Sequence, residues 1–285
     1  MTALTSGQVA SYRHDGFLLP VRVADTDRAA GWCAEIEALE RRWRGDPTLP
    51  NPFVDYARAN FHVVSAAAAR IAHDRAILDA VESIIGPDIL CWMCELIVKE
   101  PHSPKILTMH QDMTYWGLDG ADHLVTAWLA LSPATIANGA MQFVRGSHRH
   151  GQVAHHDTYG ADNLLSRGQE IAVDYDPADA VPVELQPGEM SLHHGLMFHG
   201  SGPNTTAHRR VALVMRYVSP EVSQQVGARD YAMVVRGVNR TRHLLATPVP
   251  FDDFAPEAVA LHAEITAAQA APLAADAAHD LSYGR

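Results

Sequence analysis

A histidine and an aspartate lie two positions apart in the stretch MHQDMTYW, residues 109 to 116. If this stretch is a strand or a strand end, its two-residue period places His110 and Asp112 on one face and Gln111 on the other. Imidazole and carboxylate groups both bind metals, so the pair predicts part of a metal site. A chance occurrence is the alternative, because most of the 17 histidines in the chain are expected on the surface or hydrogen-bonded in the core.

A third metal ligand is available in the segment GEMSLHHGLMFHGSGPN, which contains His193, His194 and His199 at the end of a predicted strand. Two histidines and one carboxylate on one side of an octahedral ion form the facial triad of non-heme Fe(II) oxygenases, which leaves three positions for cosubstrate and O2. The order His-x-Asp followed by a distant His fits this triad. One of His193 and His194 is expected beside the triad, where it would orient a metal ligand through its ring nitrogen.

A basic residue follows on the next predicted strand. Arg210 begins the run RVALVMRYV, whose alternation directs its side chain into the interior of a sandwich, whereas Arg209 faces the other way. A buried guanidinium needs a planar anion, and a carboxylate is its natural partner. The 5-carboxylate of 2-oxoglutarate meets this need.

The elements that must position these residues change in type along the chain. Residues 1 to about 88 read as helical, with one helix that begins at Asp25 or Thr26 and a second that spans SAAAARIAHDRAILDAVESIIG. From about 89 to 220, short apolar or alternating runs divided by Gly, Pro and Asn predict a β-sandwich or barrel. A further helix is expected at about 251 to 272. Because no linker or repeat is visible, residues 1 to 285 are interpreted as a single domain.

A long polar insert at residues 147 to 180 interrupts the predicted strands. Connections of this length are typical either of lids over a site or of disordered segments. Cys91 and Cys94 form a lone C-x-x-C pair without a second pair, so we expect ordinary strand packing rather than zinc or redox chemistry there.

Composition and charge exclude several classes of protein. The 285 residues are 47% hydrophobic and 19% charged, which is typical of a globular protein. A net charge of -11 disfavours nucleic acid and anionic membrane surfaces as partners. The sequence shows neither a signal peptide nor an apolar run of the roughly 20 residues that cross a bilayer. Three cysteines, an odd number, favour a reducing compartment, so a cytoplasmic location is expected.

The ordered stretches HQDMTYW, AWLAL, GAMQFVRGSHR and PGEMSLHHGLMFHGSGPN, with the arginine that follows them, resemble the phytanoyl-CoA dioxygenase family of Fe(II)- and 2-oxoglutarate-dependent oxygenases. The resemblance covers roughly residues 90 to 217. It implies a mainly β fold, the double-stranded β-helix or jelly roll, with flanking α-helices. It also implies Fe(II), 2-oxoglutarate and O2 as cofactors. Its implied site residues are His110, Asp112 and His199 for the metal, and Arg210, Ser201, Trp128 and Gln111 for 2-oxoglutarate.

The resemblance implies hydroxylation of an unactivated C-H bond in a small polar metabolite, with release of succinate and CO2. Asp112 disfavours halogenation, since related halogenases have a small residue at this position. Desaturation or ring closure on the same centre is an alternative, and a non-catalytic metal-binding jelly roll is another. No adenine or pantetheine signature is visible, so the family name does not imply an acyl-CoA substrate.

Four residues are candidates for the substrate pocket, namely Trp116, Glu95, Lys99 and His194. Glu95 and Lys99 share a face if their strand is regular, and an interior glutamate is costly unless it is paired. Glu95 would therefore meet either Lys99 or a cationic substrate. A basic segment offers a site for an anionic substrate or, alternatively, a solvated surface paired with nearby acids; its arginines are Arg229, Arg236, Arg240 and Arg242.

Overall fold

Residues 3–165 and 167–274 are described by the structure, a computed structural model. Helices fill most of the first 85 residues and return at the end of the described chain. Their bounds are α1 Ser6–Asp15, α2 Thr26–Trp43, α3 Phe53–Arg58, α4 Phe61–Val64, α5 Ala66–Ala72, α6 Arg75–Ile85 and α7 Pro256–Ala274. Strands dominate the middle; they are β1 Phe17–Arg22, β2 Ile89–Lys99, β3 Leu107–His110, β4 Leu124–Ala130, β5 Met141–Val144, β6 His155–Asp157, β7 Gln169–Ile171, β8 Ala180–Pro182, β9 Glu189–His193, β10 His199–Ser201, β11 Arg210–Val218, β12 Tyr231–Arg236 and β13 Leu245–Thr247.

Capping residues explain where two of the helices begin. The Asp25 side chain accepts a hydrogen bond from the Arg28 amide and so caps α2, one of the two caps that the sequence predicts. The second predicted helix is in fact two helices, α5 and α6. Asp74 interrupts it, because its side chain accepts from the Ala76 amide and starts a new helix there.

Two β-sheets form the jelly roll predicted for this chain. The larger has seven strands in the order β1-β9-β4-β11-β2-β12-β13, and the smaller has four in the order β3-β10-β5-β8. The predicted bounds of 89 to 220 were too narrow, because β1 pairs with β9 and because β12 pairs with β2. The segment containing β12 was considered for its arginines, and the alternation of its apolar residues was not recognised as a strand.

The two faces of the larger sheet have different partners. On β11, Val211, Leu213, Met215 and Tyr217 belong to the core that the helices cover. The intervening residues face the smaller sheet, as the two-residue period of a strand requires. Neighbouring strands align these inward positions in rows: Lys99 with Arg210, Glu95 with Val214 and Trp128, and Met93 with Arg216, Thr126 and His193. The candidate site lies along these rows.

The insert at 147–180 contains a small two-stranded sheet, β6 with β7. It attaches beside β3, where Leu164 donates its amide to the Ile106 carbonyl at 2.8 Å and Asn163 donates its side-chain amide to Thr108 Oγ1 at 2.7 Å. Leu164 and Leu165 thereby reach the cavity between the sheets. Among the described residues, no helix combines the length and the apolar character that crossing a membrane requires.

Candidate metal centre and cosubstrate site

His110 and His199 face each other across the β3–β10 pair, with their ring centroids 4.1 Å apart. The Nδ1 atom of His110 lies 2.7 Å from the Thr108 carbonyl, and that of His199 lies 3.0 Å from the Met197 carbonyl. A carbonyl can only accept, so both Nδ1 atoms carry the proton. In the neutral rings each Nε2 then has a free lone pair, and each lies 3.8 Å from Asp112 Oδ1.

Asp112 reaches the two histidines from a turn rather than from a strand. The strand ends at His110, and Asp112 begins a 3-10 turn that runs to Tyr115, so the expected period of two does not extend this far. The Met113 amide donates to the Gly195 carbonyl at 3.1 Å and anchors this turn beside the second ligand segment. Ligand atoms of His110, Asp112 and His199 all lie within 4.8 Å of one another. This donor set fits Fe(II) bound on one face.

Three side chains from the larger sheet surround the Asp112 carboxylate. Thr126 Oγ1 donates to Oδ2 at 3.3 Å, Arg216 Nη2 lies 3.5 Å from Oδ1, and His193 Nε2 lies 3.7 Å from Oδ2. Burial alone would raise the pKa of Asp112, but Arg216 and the nearby histidines outweigh burial and hold that pKa well below its usual value. The carboxyl group is thus kept ionised, as a metal ligand must be.

Arg216 and His193 were not assigned individual roles from the sequence. Arg216 is buried, pairs with Glu95 on its other side and lies over the Trp116 ring at 4.8 Å. His193 is buried with neither ring nitrogen hydrogen-bonded within the described chain. Arg216 and His193 lie in one row with Thr126 because of the register of three neighbouring strands. No local sequence pattern reveals that register.

His194 lies outside the cavity, so its predicted role in the substrate pocket is not supported. Its Nδ1 accepts from the Leu196 amide at 3.1 Å, and its Nε2 lies 3.4 Å from Asp122 Oδ1. The two adjacent histidines contact different groups, since the ring of His193 lies beside Asp112 and that of His194 beside Asp122. Of the pair expected beside the triad, His193 is the one that faces Asp112.

A second group of polar residues lies at the inner end of the cavity. Lys99 Nζ donates to Ser201 Oγ at 2.7 Å and also to the Gly202 carbonyl. Arg210, directly opposite Lys99, donates from Nη1 to the Gly139 carbonyl at 2.6 Å and lies over the Trp128 ring at 5.2 Å. Both side chains are buried, and the hydrogen-bond partners described for them are a hydroxyl and two carbonyl oxygens, none of which carries a charge.

Burial lowers the pKa of Lys99 to about 7, and the neighbouring Arg210 adds to this shift. Burial likewise lowers the pKa of Arg210 to about 10. The Nε atom of Arg210 also lacks a hydrogen-bond partner within the described residues. Two buried cations without a carboxylate make a site for an anion, and the distal carboxylate of 2-oxoglutarate fits it. Lys99, which was expected in the substrate pocket, is not part of the cavity lining and reaches it only through its bond to Ser201.

Gln111 does not contact this cosubstrate end. Its amide nitrogen donates to the Gly151 and Leu196 carbonyls, each at 2.8 Å, and its oxygen accepts from the Val153 amide at 2.9 Å. These three bonds join the insert to the segment before His199. The expected 2-oxoglutarate contact is therefore replaced by a role in positioning loops, because the amide is engaged by the backbone.

One cavity of about 850 Å³ connects both groups of residues with the surface. The inner part contains Arg210, Ser201 and Trp128, the middle contains the triad, and the outer part is lined by α3, the loop before it and the insert. Glu95 lines this cavity, while Trp116 lines a smaller adjoining one of about 130 Å³ that also contains Glu95 and Arg216. Glu95 and Trp116 therefore lie beside the site, but Glu95 pairs with Arg216 and not with Lys99 as was expected.

Two features have ordinary structural explanations. Cys91 and Cys94 are unpaired thiols buried in the core under the helices, and burial raises the pKa of both. In the basic segment, Arg229 pairs with Glu264, Arg236 with Asp79 and Glu82, and Arg240 with Asp88. The alternative of a surface with ion pairs therefore describes this segment.

Comparison with protein families gives a match to the model described as phytanoyl-CoA dioxygenase, over residues 12–212. A probable phytanoyl-CoA dioxygenase of Caenorhabditis elegans is 29% identical over 157 residues, which are 53% of this chain and 50% of that protein. The peroxisomal phytanoyl-CoA dioxygenase of Homo sapiens is 32% identical over 152 residues, 51% of this chain and 44% of that protein. The chain thus spans about half the length of the curated relatives it matches.

Among solved structures, the non-heme monooxygenase ThoJ in its apo form superposes with a TM-score of 0.83 and is 36% identical. That match covers 93% of this chain and 97% of ThoJ. The similarity therefore extends over the helical part, both sheets and the cavity walls.

Proposed function

Because the chain belongs to the phytanoyl-CoA dioxygenase family, we propose that it is an Fe(II)- and 2-oxoglutarate-dependent dioxygenase that hydroxylates an unactivated C-H bond of a small-molecule substrate. Fe(II), 2-oxoglutarate and O2 are its cofactors, and succinate and CO2 are released. His110, Asp112 and His199 would hold the iron. Arg210, Ser201 and Lys99 would hold the distal carboxylate of 2-oxoglutarate, with Trp128 as the wall of that pocket.

One observation carries this proposal: the facial triad and the buried Arg210 line a single cavity, and Lys99, opposite Arg210, donates to Ser201 of the same lining. A structural zinc protein or a sensor would need the triad alone. It would have no reason to keep Lys99 and Arg210 buried without a carboxylate, since burying unpaired charge is expensive. The two features together fit an enzyme that binds a metal and a dicarboxylate side by side.

When bound, iron with 2-oxoglutarate and O2 supplies the oxidising chemistry that breaks the C-H bond. The protein's own residues provide geometry. Hydrogen bonds from Nδ1 to the backbone fix the rings of His110 and His199 so that both Nε2 atoms face the ion position. Arg216 and Thr126 keep Asp112 ionised and oriented. Arg210 and Lys99 fix the far end of the cosubstrate, which leaves the outer cavity for the substrate.

Hydroxylation is favoured over desaturation and ring closure by the likeness to ThoJ, a monooxygenase that is 36% identical to this chain. The presence of Asp112 argues against a different reaction, halogenation, because the carboxylate occupies the position that a halide would need. Product mass separates these reactions, since hydroxylation adds one oxygen atom whereas desaturation removes two hydrogen atoms.

The test is to supply reduced, iron-loaded protein with 2-oxoglutarate, O2 and a panel of metabolites, and to measure succinate and oxidised product. We expect substrate-dependent succinate from the wild type and none from Asp112→Ala. Calorimetric titration of the metal-loaded protein with 2-oxoglutarate is run in parallel. If 2-oxoglutarate fails to bind to metal-loaded wild-type protein, the proposed function is wrong.

A further inference from the structure

The outer part of the cavity is too large and too apolar for the small polar metabolite that the sequence suggested. The whole cavity, of which it is a part, has a volume of about 850 Å³, in the upper part of the range of roughly 300–1,000 Å³ for ligand pockets. The triad and the cosubstrate end use only its inner part. The outer walls are formed mainly by apolar side chains, among them Leu49, Phe53, Val54, Ala57, Leu164 and Leu165.

Glu95 is the acidic group at the boundary between this apolar chamber and the metal centre. Its Oε2 accepts from Arg216 Nη1, while the structure gives its Oε1 no hydrogen-bond partner among the described residues. The side chain retains 20% of its exposure and lines both the main cavity and the smaller adjoining one. One carboxylate oxygen therefore faces the space that a substrate would occupy.

The cations that line the outer cavity are engaged by the protein. Arg44 pairs with Glu40 and lies 3.9 Å from Glu100, and Arg58 donates to the Leu164 carbonyl. Arg216 lies between Glu95 and Asp112. An anionic substrate would thus meet an open carboxylate oxygen near the metal, while each cation described in the outer lining already bonds to the protein. An ionised carboxylate has only acceptor capacity, so its partner must be a donor.

We propose that the substrate, on the premise of the oxygenase function above, is a bulky and largely apolar molecule that presents an N-H or O-H donor to Glu95. The apolar part fills the chamber between α3 and the insert. Arg216 bonds to the second oxygen of Glu95 and also contacts Asp112. Only the Arg216 guanidinium would therefore separate the donor group of the substrate from a metal ligand. Carbon atoms close to that donor group are then the ones presented for oxidation, whereas molecules with a carboxylate or phosphate at this position are rejected.

Three probes of matched size test this proposal: 4-phenylbutylamine, 4-phenylbutan-1-ol and 4-phenylbutanoate. Each is titrated by calorimetry into full-length protein loaded with Ni(II) and 2-oxoglutarate. We expect the amine and the alcohol to bind at least tenfold more tightly than the carboxylate. In Glu95→Gln the amine should lose at least tenfold in affinity and the alcohol much less, because the single amide oxygen stays on Arg216 and the NH2 group that then faces the chamber can donate to a hydroxyl but not to an ammonium.

Glu100→Gln is the matched control, since it also removes one negative charge from the cavity lining but at a side chain that is 51% exposed and paired with Arg209. It should change amine affinity less than threefold. A second variant, Val54→Trp, should narrow the chamber and weaken both neutral and cationic probes while 2-oxoglutarate affinity is kept, which tests the site even if Glu95→Gln does not fold.

The possible outcomes distinguish a failure of this inference from a failure of the proposed function. Binding of 2-oxoglutarate to the nickel-loaded protein is measured first, and its absence contradicts the oxygenase function itself. If 2-oxoglutarate binds but no probe does, or the carboxylate binds as well as the amine, the inference about the substrate is overturned alone. An equal loss of amine affinity in Glu100→Gln and Glu95→Gln overturns it too, because the effect would then be one of overall charge.

Discussion

Lys99 and Arg210 lie directly opposite each other on antiparallel strands, and both cationic side chains are buried without an ion-pair partner in the described residues. Two like charges in this position oppose folding unless an anion joins them. The hydroxyl of Ser201 and the ring of Trp128 complete the walls around them. In the proposed function this pair would fix the distal carboxylate of 2-oxoglutarate, because Arg210 and Ser201 line the cavity that also contains the triad and Lys99 donates to Ser201.

Arg210→Ala should weaken 2-oxoglutarate binding by about 10- to 100-fold, which corresponds to the loss of roughly 1.5–3 kcal/mol for a hydrogen bond to a charged group. Isothermal titration of the Ni(II)-loaded protein measures this directly. Arg209→Ala is the matched control, since the neighbouring arginine faces the other way and pairs with Glu37, Glu40 and Glu100. Equal losses in the two variants would argue against a cosubstrate contact for Arg210.

The lowered pKa of Lys99 predicts that the affinity for 2-oxoglutarate depends on pH. Without ligand its pKa is lowered to about 7, so its positive charge is lost as the pH rises above that value. A bound dianion favours the charged form and raises the pKa, and the affinity for 2-oxoglutarate must therefore fall as the pH increases from about 7 to 9.

Calorimetric titrations across this interval should show a downward slope of affinity with pH in the wild type and a flatter profile in Lys99→Met. The slope is the informative quantity, because the substitution also weakens binding at every pH. Parallel profiles for the two proteins would show that another group titrates.

Removal of one metal ligand should abolish metal binding without unfolding the protein. For His199→Ala we expect less than a tenth of the wild-type iron content after reconstitution and no detectable succinate formation. His194→Ala provides the control, because its ring lies outside the cavity beside Asp122. Iron is measured by atomic emission and folding by circular dichroism; full iron occupancy in His199→Ala would remove this histidine from the ligand set.

Local patterns in the sequence predicted several parts of the site. The alternation of RVALVMRYV correctly directed Arg210 inward, and the His-x-Asp pair with a distant histidine predicted a cluster that the structure brings together. These signals are local because strand period and residue type suffice to define them. The prediction that Asp112 continues the strand was wrong, yet the 3-10 turn still directs its carboxylate to the same place.

Long-range register accounts for what the sequence did not reveal. Lys99 meets Arg210, and Arg216 meets both Met93 and Thr126, only because β11 lies between β2 and β4. Nothing in the sequences of β2 and β4 specifies that β11 is their neighbour. The same holds for Gln111, whose amide bonds to residues 40 and 85 positions away. A resemblance locates such residues but does not state whether they bind a ligand or hold a loop.

Arg216 should contribute strongly to stability as well as to the metal site. It is the cation between two carboxylates, Glu95 and Asp112, and its removal leaves both without their counter-charge. Arg216→Met should therefore lower the free energy of unfolding by about 3–5 kcal/mol, as expected when one partner of a buried ion pair is lost. Urea denaturation followed by tryptophan fluorescence measures this change.

The double variant Glu95→Met with Arg216→Met should recover part of that loss, since it removes one of the uncompensated carboxylates together with the arginine. Arg209→Met serves as the comparison, because the Arg209 side chain is 27% exposed against 9% for Arg216, so its loss should lower the free energy of unfolding by less. Loss of Arg216 also removes the main influence that lowers the pKa of Asp112, so this carboxylate should be protonated at a higher pH in Arg216→Met than in the wild type. When the solution is acidified, metal binding in Arg216→Met should therefore weaken at a higher pH. Identical acid profiles of metal binding in the two proteins would show that Arg216 does not govern the ionisation of Asp112.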